Sequence, residues 1–233
     1  GVESGFALWC NGSYIGYSED SFTPSEFELT DVLQAGENKL AVQVYKWTSG
    51  SWCEDQDFFR FSGIFRSVYL YAVPDTHISD VRIRTDLNEE YSRADLVVTL
   101  TGLMNKATAV SSARARLVLT DGAAAIAEVE TVLTEGENQP VHMAVDAPRL
   151  WSAEKPFLYE LTITVYGADG KVAELIPQKV GFRRFAIDNG IMTINGKRIV
   201  FKGADRHEFS GRFGRVPNEE EMLQDIVTMK RHN

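Results

Sequence analysis

Residues 51–66 read SWCEDQDFFRFSGIFR. The stretch sets three carboxylates (Glu54, Asp55, Asp57) and two guanidinium groups (Arg60, Arg66) among five aromatic side chains (Trp52, Phe58, Phe59, Phe61, Phe65). Surface loops rarely mix charge and apolar bulk so densely. A charge carried inward with aromatics must be paired or ligated, because an isolated buried ion costs far more than folding can supply. Two readings follow. The stretch is either an internal network of arginines and carboxylates between two sheets, or a site that holds a sugar or a cation.

The run EDQDFFRFSGIFR resembles the segment E-D-Q-D-x-x-R-x-S-G-I-x-R that bacterial β-galactosidases of glycoside hydrolase family 2 carry at the end of their sugar-binding domain. The match is long, ungapped and mixed in residue type. The resemblance implies that Asp57, the second aspartate of EDQD, reaches an active site, where it binds a sodium ion and the 6-hydroxyl of a galactosyl group. A β-glucuronidase or β-mannosidase relative shares the three-domain plan. EDQD argues against both, since Asp57 would repel a sugar 6-carboxylate unless a cation intervened.

Upstream of this stretch, residues 6–17 alternate apolar and polar around Asn11-Gly12, the short-range pattern of a β-hairpin with a type I′ turn. Residues 40–45 predict a strand whose Leu40, Val42 and Val44 form one buried face, and 67–72 predict another. These, with the stretch G-E-N-x-L-A-V, resemble the C-terminal part of the family's jelly-roll domain, here residues 1–74. Val73-Pro74-Asp75 marks a boundary. From 75 to 183 seven strands are predicted at sandwich intervals, over 78–87, 94–102, 113–120, 125–133, 139–145, 158–166 and 172–178. They imply an immunoglobulin-like β-sandwich without the Cys…Trp…Cys spacing of antibody domains. Within it, residues 150–159, LWSAEKPFLY, resemble the family's L-W-S-A-E-x-P-x-L-Y and read as a cap on one end of the core.

The character changes after Val180-Gly181-Phe182-Arg183-Arg184. Two arms, 185–194 and 198–203, flank the turn Asn195-Gly196, and an amphipathic helix follows. Asn218 is its candidate N-cap, and Glu219, Glu220 and Glu221 lie where the helix dipole favours negative charge. Met222, Ile226 and Met229 share one face. Strand, loop and helix over 184–233 make the first β/α unit of a larger α/β fold, which the family resemblance implies is a (β/α)₈ barrel. Active sites of such barrels are built from the loops after the strands, and this loop carries Asp205-Arg206-His207-Glu208. The order G-F-R…N-G-K, then G-x-N-R-H-E, continues the resemblance. It implies that His207 contacts sugar hydroxyls and steadies the transition state. Asp205 stands where the family has Asn.

A retaining glycosidase needs two carboxyl groups about 5–5.5 Å apart. The resemblance implies that both are glutamates beyond Asn233, so the chain reads as an internal fragment expected to be inactive alone. It also implies Mg²⁺ and Na⁺ in the parent enzyme, with only the Na⁺ ligand Asp57 present here. A further family magnesium site uses W-S-D-G, where this chain has Trp47-Thr48-Ser49-Gly50; a hydroxyl is a poorer ligand for a hard cation than a carboxylate. The four histidines show no ligand spacing.

The formal charge of −9 argues against nucleic acid or an anionic membrane surface as partner. No apolar run reaches the roughly 20 residues of a membrane span. The expected partner is a β-galactoside substrate such as lactose, with a homo-oligomeric parent. Cys10 and Cys53 read as buried free thiols in a reducing compartment, which places the protein in the cytoplasm, with the periplasm as the alternative. The competing reading is a non-catalytic sandwich module that binds carbohydrate or protein. It does not account for a β/α unit bearing Arg-His-Glu.

Overall fold

The turn Asn11-Gly12 forms as its sequence requires. Both residues adopt positive φ (51° and 84°), the backbone that asparagine and glycine tolerate and that matches the twist of the strands it joins. The computed structural model describes residues 1–53, 59–105, 110–216 and 218–232. Contacts gather into two units, one of residues 1–70 with 202–233 and one of residues 71–201.

In the first unit β1 (Val2–Glu3), β2 (Gly5–Cys10), β3 (Ser13–Ser18), β4 (Leu40–Tyr45), the one-turn helix α1 (Gly50–Cys53) and β5 (Gly63–Ile64) follow in order. An antiparallel sheet runs β3-β2-β4, and β1 pairs with β5. Val2, Phe6 and Leu8 are buried, with Ile15, Phe27 and Val44 packed on them. Phe27 meets Phe6 edge-on at 5.8 Å and crosses Gly16 so closely that a Cβ there would fall 2.5 Å from its ring. Asn11 ties the connecting loop to the hairpin. Its amide donates to the Val32 carbonyl and Asn38, and its oxygen accepts from the Lys39 N–H.

Three expectations fail in this unit. Leu40 and Val42 remain exposed rather than forming a buried face with Val44, because no second sheet covers β4 among the described residues. Residues 67–70 form no strand and keep Val68, Tyr69 and Leu70 exposed, since strand propensity needs a partner ladder to be realised. Cys53 is exposed at the end of α1, while Cys10 is buried.

The second unit contains all seven expected sandwich strands and one short additional strand: β6 (Thr76–Leu87), β7 (Arg93–Met104), β8 (Ser112–Asp121), β9 (Ala124–Thr134), the additional β10 (Gly136–Glu137), β11 (Val141–Asp146), β12 (Tyr159–Tyr166) and β13 (Val172–Val180). In one sheet β6 pairs along the whole of β7, so β10 and β11 share the other edge of β7; the second sheet runs β13-β12-β8-β9. Alternate residues of facing strands fill the core. Leu96, Val98 and Leu100 of β7 and Leu161, Ile163 and Val165 of β12 are fully buried, each worth about 1.5–3 kcal/mol of removal from water. The LWSAEKP segment closes one end. Leu150 and Phe157 pack on the core, and the Trp151 N–H donates to the carbonyl of fully buried Phe182 at 2.8 Å.

The stretch after the sandwich differs from expectation. Residues 185–194 are themselves a hairpin, β14 (Phe185–Asp188) and β15 (Ile191–Ile194), turning at Asn189-Gly190, where φ is positive at both positions. Asn195-Gly196 turns the chain again into β16, which covers only Lys197–Arg198. Residues 199–203 form no strand, and Val200 and Phe201 are 68% and 70% exposed. A strand of a parallel barrel takes its hydrogen bonds from neighbouring strands. Among the described residues none flanks it. The helix α2 (Glu219–Arg231) begins as read, Asn218 Oδ1 accepting from the Glu221 N–H at 2.9 Å.

Candidate functional site

Glu54, Asp55, Asp57 and Phe58 lie outside the described residues. The backbone on both sides of them is well anchored. On the N-terminal side, residues 47–52 are pinned to β1 and to the hairpin. Ser4 Oγ bonds Thr48 Oγ1 at 2.6 Å and Ser51 Oγ at 2.7 Å. Glu19 accepts from Ser49 Oγ (2.6 Å), the Gly50 N–H (2.8 Å) and the Tyr17 hydroxyl (2.8 Å), and these bonds hold its carboxyl below the usual carboxylate range. Ser49 thus spends its hydroxyl as a donor to a carboxylate. One saturated carboxylate and one hydroxyl are a poor fit for a magnesium ion that seeks several free oxygens. Among the described residues, no group of three or more His, Cys, Asp or Glu side chains is placed to hold a metal.

On the C-terminal side, the two arginines of the opening stretch have separate tasks. Arg60 stacks on the Trp47 ring at 4.7 Å and donates to the Ser51 carbonyl at 3.2 Å, which ties residue 60 back to α1. Arg66 pairs with Glu208 across 142 positions of sequence. Both flanks of His207 are therefore engaged, for Arg206 places its Nε and an Nη 2.8 Å from Asp225 Oδ2 on α2. His207 itself is exposed, as is Asp205. Two residues beyond His207, Phe209 packs on Phe59 and Phe61, with ring centroids 5.1 and 6.0 Å apart. The folded chain thereby joins the segment that follows Asp57 to the loop that carries His207.

One group in this unit was not singled out in the sequence. Glu3, at the end of β1, forms an ion pair with Arg215, their side chains 9% and 7% exposed. The same Glu3 oxygen lies 3.3 Å from the Phe61 and Ser62 N–H groups. Phe22 and Phe65 cover the guanidinium at 4.7 and 5.0 Å. A cleft of about 20 Å³ lined by Glu3, Ser4, Lys46, Ser51, Arg60 and Arg215 adjoins the pair, room for one water and not for a sugar. No local pattern reveals a pair 212 positions apart. The one available hint was a carboxylate and a guanidinium with no helical or hairpin neighbour to pair with.

The larger concavity, about 390 Å³, lies in the second unit and is lined by Gly190, Ile191, Met192, Arg198, Ile199, Val200 and Phe201. It offers apolar side chains and one guanidinium. Sugar recognition needs convergent hydrogen-bonding groups, and of the side chains lining this surface only that of Arg198 can supply them.

Comparison with known proteins matches the chain in three consecutive segments. Residues 1–74 match glycosyl hydrolases family 2, sugar binding domain; 76–183 match glycosyl hydrolases family 2; and 185–233 match glycosyl hydrolases family 2, TIM barrel domain. A β-galactosidase of Halalkalibacterium halodurans is 50% identical over 233 residues, covering 100% of this chain and 23% of that protein. One from Clostridium acetobutylicum is 48% identical, with 100% and 25% covered. The chain spans about a quarter of the length of these curated relatives. Among solved structures, the β-glucuronidase of Parabacteroides merdae superposes with a TM-score of 0.87 over 99% of this chain and 31% of that one, at 18% identity, a likeness of fold.

Proposed function

Because this chain belongs to glycosyl hydrolase family 2, we propose that it supplies the substrate-orienting part of a retaining β-galactosidase, which releases terminal β-D-galactose from β-galactosides such as lactose. The observation that carries this reading is the 50% identity to a β-galactosidase along the whole chain. A β-glucuronidase fold neighbour at 18% identity does not weigh against it, and Asp57 would repel a uronic acid carboxylate. In this reading Asp57 binds sodium and the galactosyl 6-hydroxyl, and His207 binds sugar hydroxyls and stabilises charge as the glycosidic bond breaks. The anchoring of Arg206 and Glu208 supports the role of His207, since a group must be held still to favour the transition state over the substrate.

The chemistry needs one carboxylic acid to protonate the leaving oxygen and one carboxylate to attack the anomeric carbon. We place both in sequence following Asn233, so the 233-residue chain by itself is expected to be inactive. The test compares this chain with its natural gene product on o-nitrophenyl β-D-galactoside and the matching glucuronide. Galactoside turnover by the gene product alone is the expected result. Turnover by the 233-residue chain, or a preference for the glucuronide, would overturn the reading, as would an intact gene-product mass of 26.1 kDa.

A further inference from the structure

We propose that Glu3 and Arg215 are positioning residues for His207: their buried ion pair sets the loop of residues 204–216 in register with the segment following Asp57. This rests on the functional reading above for its purpose, although its geometry stands alone. A buried ion pair is a poor stabiliser, because desolvating both charges offsets their attraction, and apolar side chains of similar size usually do as well. What such a pair supplies is direction. A charge-assisted hydrogen bond is short and angular, and here one carboxylate serves three pieces of chain: β1, the amides of Phe61 and Ser62, and Arg215.

The loop between Arg215 and His207 is stiff enough to transmit that placement. Ser210 and Gly214 exchange backbone hydrogen bonds at 2.7 and 2.9 Å. Ser210 Oγ accepts from the N–H groups of Arg212 and Phe213 at 3.1 Å and donates to Glu221 Oε1 on α2. Phe209 then locks against Phe59 and Phe61. An Arg215 displaced from Glu3 would therefore carry the turn with it rather than swing alone, and His207, three residues before Ser210, would follow.

The test follows the histidine ring protons of the 233-residue chain by NMR, with His77 and His142, both on sandwich strands, as internal references. Glu3→Gln is expected to shift and broaden the His207 Cε1 proton and leave the references in place. Arg215→Lys, which keeps a cation for Glu3, is expected to retain most of the native His207 signal, whereas Arg215→Met is not. A pair with a merely supportive role would leave His207 unmoved in a chain whose β2 amide shifts show it folded, and that result overturns the proposal. Should Glu3→Gln unfold the first unit, Glu3→Asp keeps the charge but is one methylene shorter. A displaced His207 in that variant supports the proposal and an unmoved one refutes it. The readout needs no turnover. Failure of the gene product to hydrolyse galactosides would sink the functional reading while the His207 spectra decide the positioning role separately.

Discussion

Replacing Arg215 by methionine keeps most of the stem that packs between Phe22 and Phe65 and removes the charge. Glu3 is then left 9% exposed, with only the 3.3 Å contacts from Phe61 and Ser62 to stabilise its carboxylate. Stripping one partner from a buried ion pair costs about 3–5 kcal/mol. Two long hydrogen bonds recover about 1 kcal/mol at most, and the guanidinium's own attraction to the two rings, about 0.5–1 kcal/mol each, is also lost. A net loss of about 3–6 kcal/mol corresponds to roughly a 10²- to 10⁴-fold rise in the population of the opened unit. Amide hydrogen exchange measures it directly, because β2 is paired on both sides and exchanges through opening of the first unit. The β12 amides report the other unit and should not change. The double variant Glu3→Gln/Arg215→Met should return to within about 1 kcal/mol of the native chain, since an uncharged, well-packed pair leaves no ion stranded. Protection in β2 that falls less than tenfold in the single variant, or a double variant as poor as the sum of both singles, would refute this account.

Three further outcomes are expected. Phe182→Ala should lower sandwich stability by about 3–5 kcal/mol in denaturant unfolding, because it empties a fully buried site and breaks an edge-on contact with Tyr159 at 5.2 Å; a loss under 1 kcal/mol would mean that the core closes over the gap. Asn218→Ala should cost about 1 kcal/mol and fray the start of α2 in amide shifts, with Asn218→Asp retaining the cap; equal fraying in both variants would exclude the cap as the cause. Partial burial, and then the bond to Glu19, pushes the Tyr17 phenol up to about 12. The folded state therefore holds this proton more tightly than the unfolded chain, so its contribution to stability is complete below pH 10 and declines as pH rises through 12. Ultraviolet titration should show a late Tyr17 phenol that Glu19→Gln brings earlier, and an unchanged midpoint would contradict the assignment. Glu19 acts in the opposite sense: its lowered carboxyl contributes above the ordinary value of 4.5 and is lost as pH falls through the folded one.

Local chemistry alone determined the elements that are complete within a short stretch. The Asn11-Gly12 hairpin, the Asn218 cap and the seven sandwich strands follow from turn backbone, a side-chain acceptor and period-two burial. The turn and the cap act over a few residues; the strands are legible from their local pattern but still need distant partners to complete their ladders. The strands at 67–72 and 198–203 were legible as sequence and are not formed, for a strand is stable only where another strand completes its ladder. The hairpin within 185–194 was open to the same turn rule at Asn189-Gly190, hidden by the apolar run around it.

The candidate site divides in the same way. Asp57 and His207 were found by motif, yet nothing in either motif shows what holds the surrounding chain. Tertiary structure decided that Arg66 pairs with Glu208, that Phe209 meets Phe59 and Phe61, and that Glu3 meets Arg215. These contacts join residues 142 to 212 positions apart. A charge or ring has no sequence-level preference among distant partners of equal chemistry. Only the path of the folded backbone, set by the burial of the small core around Phe6 and Leu8, selects which one comes within reach.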